Sequence, residues 1–172
     1  MIMPRGQLLL MPVRPVFIVA SLVAALAFNM LPLGRTPWMP DALVVVLAFW
    51  GMHQPLRVGM GVAFALGLCM DVQQSSLLGQ HALGYAVLMY GVALTHRRLL
   101  WYSAAAQAPQ MAALFALAHA VQVAVGLLSG GGLPHGSVVV APLLEALIWP
   151  LASWLLLAPQ RRAPERDEKR KP

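Results

Sequence analysis

The chain is a succession of long apolar runs separated by short breaks rich in proline, glycine or polar residues. A helix needs about 20 apolar residues to cross a bilayer core of about 30 Å. On that measure the runs predict six membrane-spanning helices, at about 13–33, 40–53, 56–72, 79–95, 108–128 and 138–158. Pro32, Gly34 and Pro37 end the first. His53-Gln54-Pro55 divides the second from the third, because proline lacks an amide donor and disfavours helix in the residue before it. The second and third runs are short, so one of them is expected to be thin, tilted or re-entrant. Gln73-Gln74-Ser75-Ser76 is a polar break, His96-Arg97-Arg98 closes the fourth run, and Ser129–Gly136 is an uncharged, glycine-rich turn. Pro142 and Pro150 fall inside the sixth run, which a membrane helix tolerates when neighbours satisfy the freed carbonyl.

Composition supports this reading. Hydrophobic residues make up 59% of the chain and charged residues 10%, where a soluble domain carries roughly 25% charged. Half of the charged side chains lie in the stretch Arg161–Lys171. The remainder are too few to cover the surface of a soluble fold. The expected fold class is therefore an all-α integral membrane protein, a six-helix transmembrane bundle. It forms one domain over 1–158, followed by a basic cytoplasmic tail at 159–172. The tail is a charge run expected to be disordered and to lie against anionic lipid. Arg5, Arg14 and the Ala25-Leu26-Ala27 stretch imitate a signal peptide, but the run from Val16 to Leu33 is long for one and more spans follow, so it reads as an uncleaved first helix.

The net charge of +6 does not point to nucleic acid, because the basic residues sit at the ends of apolar runs and in the tail, without interleaved aromatics. They report topology instead. With the N-terminus inside, the inner segments hold Arg5, Arg14, Arg57, Arg97, Arg98 and the six basic residues of the tail, and the outer segments hold Arg35 alone. This is a strong positive-inside bias. Cys69, the one cysteine, lies in an apolar run and permits no intramolecular disulfide.

Three acids stand within or at the edges of the spans: Asp41, Asp71 and Glu145. On the six-span topology all three fall in the outer half, with His81 and His135, and with Arg35 as an available counter-ion. Asp41 opens the second helix, where a carboxylate caps free amides and meets the positive end of the dipole. Asp71 closes the third, where the dipole disfavours it, so it needs a partner. Two roles are open for Asp71: a cap ordering the Gln73–Ser76 loop, or part of an outer docking surface. An asparagine there is expected to keep most of the capping bonds. Glu145 lies about two turns inside the sixth helix, roughly 10 Å deep, where an unpaired carboxylate costs several kcal/mol. His119 and Gln122 read as inter-helix hydrogen bonders. Gly59, Ala63 and Gly67 recur at four-residue spacing, as do Ala112, Ala116, Ala120 and Ala124, a spacing that lets helices approach closely.

No catalytic constellation is present. Ser129 lacks the glycine two residues before it that a nucleophile elbow would show. There is no His-Glu-x-x-His zinc motif and no phosphate-binding glycine loop, and the histidines are scattered singly. No enzyme activity, cofactor or metal is expected.

One order of motifs resembles a known family. Pro40-Asp41 opens the second run and Arg57-Val58-Gly59 opens the third. Gly67-Leu68-Cys69-Met70-Asp71-Val72 follows, and then Leu77-Leu78-Gly79-Gln80-His81-Ala82-Leu83-Gly84-Tyr85. Over about 38–98 this order resembles the rod shape-determining protein MreD family, and the length, helix number and basic tail agree with it. The resemblance implies a non-enzymatic component of the bacterial inner membrane that helps to elongate the lateral wall. The implied partners are MreC first, with MreB and the RodA/penicillin-binding-protein-2 pair more widely. It also implies a fold similar to the membrane substrate-binding subunits of energy-coupling-factor vitamin transporters. A small-molecule-binding transporter subunit is thus the alternative reading, and Ala20-x-x-x-Ala24 resembles the seam such subunits use. The residues singled out for partner binding or structure are Asp41, Arg57, Gly67, Asp71, Gly79, His81 and Glu145.

Overall fold

The computed structural model describes residues 13–31, 39–132 and 136–160. Within them the chain forms six α-helices: α1 Pro15–Asn29, α2 Ala42–His53, α3 Met60–Gln74, α4 Gln80–Leu99, α5 Ala104–Leu128 and α6 Val140–Leu157. A 3-10 turn, Gly136–Val139, leads into α6, and another, Ala158–Gln160, follows it. Arg35, His135 and the tail lie outside the described residues.

Several boundaries differ from those expected, each for a local reason. α3 begins at Met60, because Gln54–Val58 forms a turn in which Gln54 accepts the amides of Arg57 and Val58, each at 3.0 Å. α3 then runs through Gln73 and Gln74, and stops where Ser75 turns left-handed at φ 51°. α4 continues past His96-Arg97-Arg98, where the cationic side chains suit the negative end of the dipole. α5 starts early at Ala104, in an alanine run of high helix propensity, and Ser103 Oγ accepts the Ala106 amide at 3.4 Å. Pro109 sits near the start of α5.

The helices differ in what they bury. α2 has 12 residues, nine of them buried, including Phe49 and Trp50. At about 1.5 Å per residue it is roughly 18 Å long, short of the bilayer core, and it is apolar all round because protein surrounds it. Phe17 and Phe49 pack edge-on against Trp50, Trp149 lies against Phe49, and the Trp50 indole donates to Ser21 Oγ at 2.7 Å. α6 behaves differently: Trp149 and Glu145 are buried, whereas Leu147, Leu151, Trp154 and Leu155 face out. Among the described residues, Ala104–Leu128 and Val140–Gln160 are long and apolar enough to cross a membrane. Pro15–Asn29 and Ala42–His53 are shorter apolar helices.

α4 is the hub of the bundle, lying against α3, α5 and α2. Glycine permits its closest contacts. A Cβ on Gly67 of α3 would stand 2.6 Å from Ala82 N and 2.9 Å from His81 C, so the α3 and α4 backbones touch there. On the α5 side, a Cβ on Gly84 would stand 2.7 Å from Gln122 Cγ. These contacts fix the register in which the polar side chains at one end of the bundle meet.

Candidate functional site

The C-termini of α1, α3 and α5 and the N-termini of α2, α4 and α6 converge at one end of the bundle. Free carbonyls and amides therefore crowd together there and need partners. Three carboxylates supply much of that need. Asp41 caps α2: its Oδ1 accepts the amides of Leu43 at 2.9 Å and Val44 at 3.2 Å. The same oxygen accepts Asn29 Nδ2 at 2.5 Å, and Oδ2 accepts the Tyr85 hydroxyl. Asn29 completes the tie from α1 to α2 by accepting the Ala42 amide through its own side-chain oxygen at 3.1 Å.

Asp71 performs the same service between α3 and α4. It is fully buried. Its Oδ1 accepts the His81 amide at 2.7 Å and the Ser76 hydroxyl at 3.1 Å, and lies 2.8 Å from His81 Nδ1. Its Oδ2 accepts the amides of Gly79 at 2.8 Å and Ala82 at 3.4 Å. Gly79 presents its amide from φ +102°, a conformation natural only to glycine. Asp71 thus binds the free N–H groups of α4, which offsets its unfavourable position at the end of α3. An asparagine with its oxygen in the Oδ1 place would keep three of these five bonds and lose the two to Oδ2, because an amide nitrogen accepts none.

Glu145 is also fully buried. Its Oε1 accepts the Asp41 amide at 2.9 Å and lies 2.9 Å from His119 Nε2, which joins α6 to α2 and α5. Its Oε2 has no partner. Among the described residues, the pairs of opposite charge type within 4 Å are His81–Asp71 and His119–Glu145, both at this end. In a neutral imidazole, one nitrogen donates to the carboxylate and the other is left as an acceptor.

Between these ties lies an open cavity of about 1,410 Å³. Asp41, Gln73, Gln80, His81, His119 and Gln122 border it, and no Lys or Arg among the described residues does. Two further buried groups at this end have no partner among the described residues: Gln73 Oε1 and Gln122 Nε2. Most buried polar groups in folded proteins are paired, so such a concentration needs an explanation.

Asp41, Asp71, Gly79, His81 and Glu145 are thus brought to one end of the fold. Gly67 lies one helical turn below Asp71, at the α3–α4 contact. Arg57 stands at the opposite end, where its guanidinium donates to the Val13 carbonyl at 3.1 Å. Sequence reasoning passed over Asn29 and Tyr85. Asn29 is a single amide at the end of an apolar run, and the pattern offers no signal for it. Tyr85 lies four residues after His81, and that spacing could have placed it on the same helix face.

Comparison with known proteins supplies an identity for this arrangement. The family model described as "rod shape-determining protein MreD" matches residues 6–159. A curated relative, the Rod shape-determining protein MreD of Haemophilus influenzae (strain ATCC 51907 / DSM 11121 / KW20 / Rd), is 37% identical over 75 residues. That match covers 41% of this chain and 46% of the relative, so it spans less than half of either. No solved structure matches the chain. The family match runs through all six helices, and the chain belongs to the MreD family of rod shape-determining membrane proteins.

Proposed function

We propose that this chain is a non-enzymatic, multi-pass component of the bacterial inner membrane that maintains rod shape by binding other proteins of the elongation machinery. MreC is the first partner, and MreB and the RodA/penicillin-binding-protein-2 pair are wider ones. Residues 1–158 form the single transmembrane domain, and 159–172 a cytoplasmic tail. Both termini face the cytoplasm, so the end carrying Arg14, Arg57, Arg97 and Arg98 is inner and the acidic end is outer. The observation that carries this reading is the cavity at the acidic end, bordered by buried polar groups that have no partner among the described residues. Asp71, His81, Asp41 and Glu145 hold the rim of that surface, while Gly67, Gly79 and Arg57 set the helix geometry behind it.

A second reading has support from the same cavity. Its carboxylate, histidines and amides could hold a small polar molecule, as a vitamin-type transporter subunit would. The volume counts against it. Small-molecule sites occupy roughly 300–1,000 Å³ and enclose most of the ligand, whereas this cavity is larger and open. Affinity purification of the full chain from cells after mild crosslinking separates the two readings. Recovery of MreC and the synthase pair is the expected result. Recovery of an ATPase with its membrane coupling subunit, and no elongation protein, would overturn it.

A further inference from the structure

The buried groups left unmet at the acidic end have a chemical character. Glu145 Oε2 and Gln73 Oε1 accept hydrogen bonds, and Gln122 Nε2 donates. Gln122 is 7% exposed and borders the cavity, so its amide is not simply paired with open water. Glu145 is 0% exposed, immediately behind the cavity-bordering Asp41 and His119. An occupant that satisfies this set needs several N–H donors for the acceptors and one oxygen for Gln122. It also meets Asp41 on the cavity border, with Asp71 and Glu145 fully buried behind it and no Lys or Arg bordering the cavity among the described residues.

We propose that the cavity seats a basic side chain, guanidinium or ammonium, carried on an extracytoplasmic, membrane-proximal segment of a partner protein. This rests on the partner-binding reading above and says what fills the site. The cation directs its donors toward Gln73 Oε1 and Asp41 at the border and toward Glu145 Oε2 behind them. A carbonyl of the same segment accepts from Gln122 Nε2. A polypeptide supplies both groups at once, which a free amine does not. The size of the cavity also suits a stretch of chain. A buried carboxylate with one oxygen unmet is costly alone and far less so beside a hydrogen-bonded cation. The charge complementarity would select the partner and fix its register.

The test places a photo-crosslinking amino acid in the full-length chain at Gln80 and, separately, at Leu127, both on the cavity border. Crosslinks are made in cells and mapped by mass spectrometry, with membrane level measured for each variant. The expected result is a crosslink from both positions to one extracytoplasmic, membrane-proximal segment, within one helical turn of a lysine or arginine. Changing that basic residue to glutamine should lower the crosslink yield roughly tenfold or more, as when one member of a desolvated charge contact is removed. If the partner still co-purifies but neither position crosslinks to it, the basic-side-chain proposal is overturned and the partner-binding reading stands. If the mapped segment carries no basic residue, or the glutamine change leaves the yield intact, the proposal is overturned in the same way. If only phospholipid is captured and no elongation protein co-purifies, both fail.

Discussion

The two ends of the bundle handle their helix termini in opposite ways. At the acidic end, ionisable side chains tie the termini: Asp41 joins α1, α2 and α4, Asp71 joins α3 to α4, and Glu145 joins α6 to α2 and α5. The ties leave a cavity and unmet polar atoms on Gln73, Gln122 and Glu145. At the basic end the buried tying groups are neutral, and Arg57, which donates to the Val13 carbonyl, is exposed. Buried Gln107 donates to the carbonyls of Leu99 and Tyr102, each at 3.0 Å, and accepts the Trp149 indole N–H at 3.0 Å. The charges there, Arg97 and Arg98, remain exposed, and Trp101 beside them is 89% exposed. Ser153, the other buried group without a partner, is a single hydroxyl away from the cavity. The contrast is instructive because charge is the more expensive material to bury. A fold that needed only closed ends could use amides and indoles at both. The carboxylates are concentrated where the surface stays open, as a recognition surface requires.

An all-or-none outcome tests whether the two ends face opposite sides of a membrane. A reporter active only in the cytoplasm should work when fused after Arg98 or at the C-terminus, and fail when fused at Gly131. Activity at Gly131 would place both ends of α5 on one side and dissolve the inner–outer contrast.

Within the acidic end, Asp71 should show the largest stability effect. Asp71→Leu takes the carboxylate from the amides of Gly79, His81 and Ala82 and from the His81 ring, and leaves the Ser76 hydroxyl with the Asp71 backbone carbonyl. The expected cost is about 3–5 kcal/mol, the range for breaking a buried ionic contact. Asp71→Asn should lie between the parent and leucine, since its amide nitrogen faces donors whichever way it is turned. Membrane accumulation and the detergent melting temperature measure this order. An asparagine variant as stable as the parent would show that the α4 amides find other partners.

These magnitudes also explain what could be seen from sequence. The apolar runs and their proline breaks carry the helices, because membrane crossing and helix termination both act locally. They do not separate α2 from its neighbours: a run such as Leu43–Met52 reads the same whether lipid or protein surrounds it, and here it is protein. The acids stood out because a carboxylate in an apolar run is costly wherever it lies. Their partners did not, because they arrive from far along the chain: Tyr85 is 44 residues from Asp41, and Glu145 is 104. The cavity is a property of that convergence and leaves no mark in any single segment.

Damage at the basic end should be smaller and different in kind. Gln107→Leu leaves the Leu99 and Tyr102 carbonyls and the Trp149 indole without their present partner. Each unmet group costs about 1–3 kcal/mol where water cannot reach it, and the carbonyls lie close enough to the helix termini to recover some hydration. The expected result is a lowered melting temperature with partner recovery unchanged per folded molecule. A selective loss of partner recovery would assign recognition to the basic end and reverse the comparison.

The smallest effect sharpens the role of backbone shape at the acidic end, through two glycines that are glycine for opposite reasons. At Gly67 a Cβ would collide with the α4 backbone at Ala82 and His81, atoms that cannot swing aside. Gly67→Ala therefore has to push α3 from α4 and stretch every bond to Asp71, at the upper end of the about 1–3 kcal/mol typical of overpacking. At Gly79 a Cβ meets nothing within 4 Å, but the residue sits at φ +102°. Gly79→Ala meets no clash, and its cost is conformational, about 1–2 kcal/mol. Its amide can still donate to Asp71 Oδ2. Gly79→Ala should thus lower the melting temperature by only about 2–4 °C per kcal/mol for a chain of this size, and leave crosslinking from Gln80 intact. Gly67→Ala should lower both. If Gly79→Ala proves the more damaging of the two, the α3–α4 turn has to move to admit the side chain, and the acidic rim is set by turn conformation more than by helix contact.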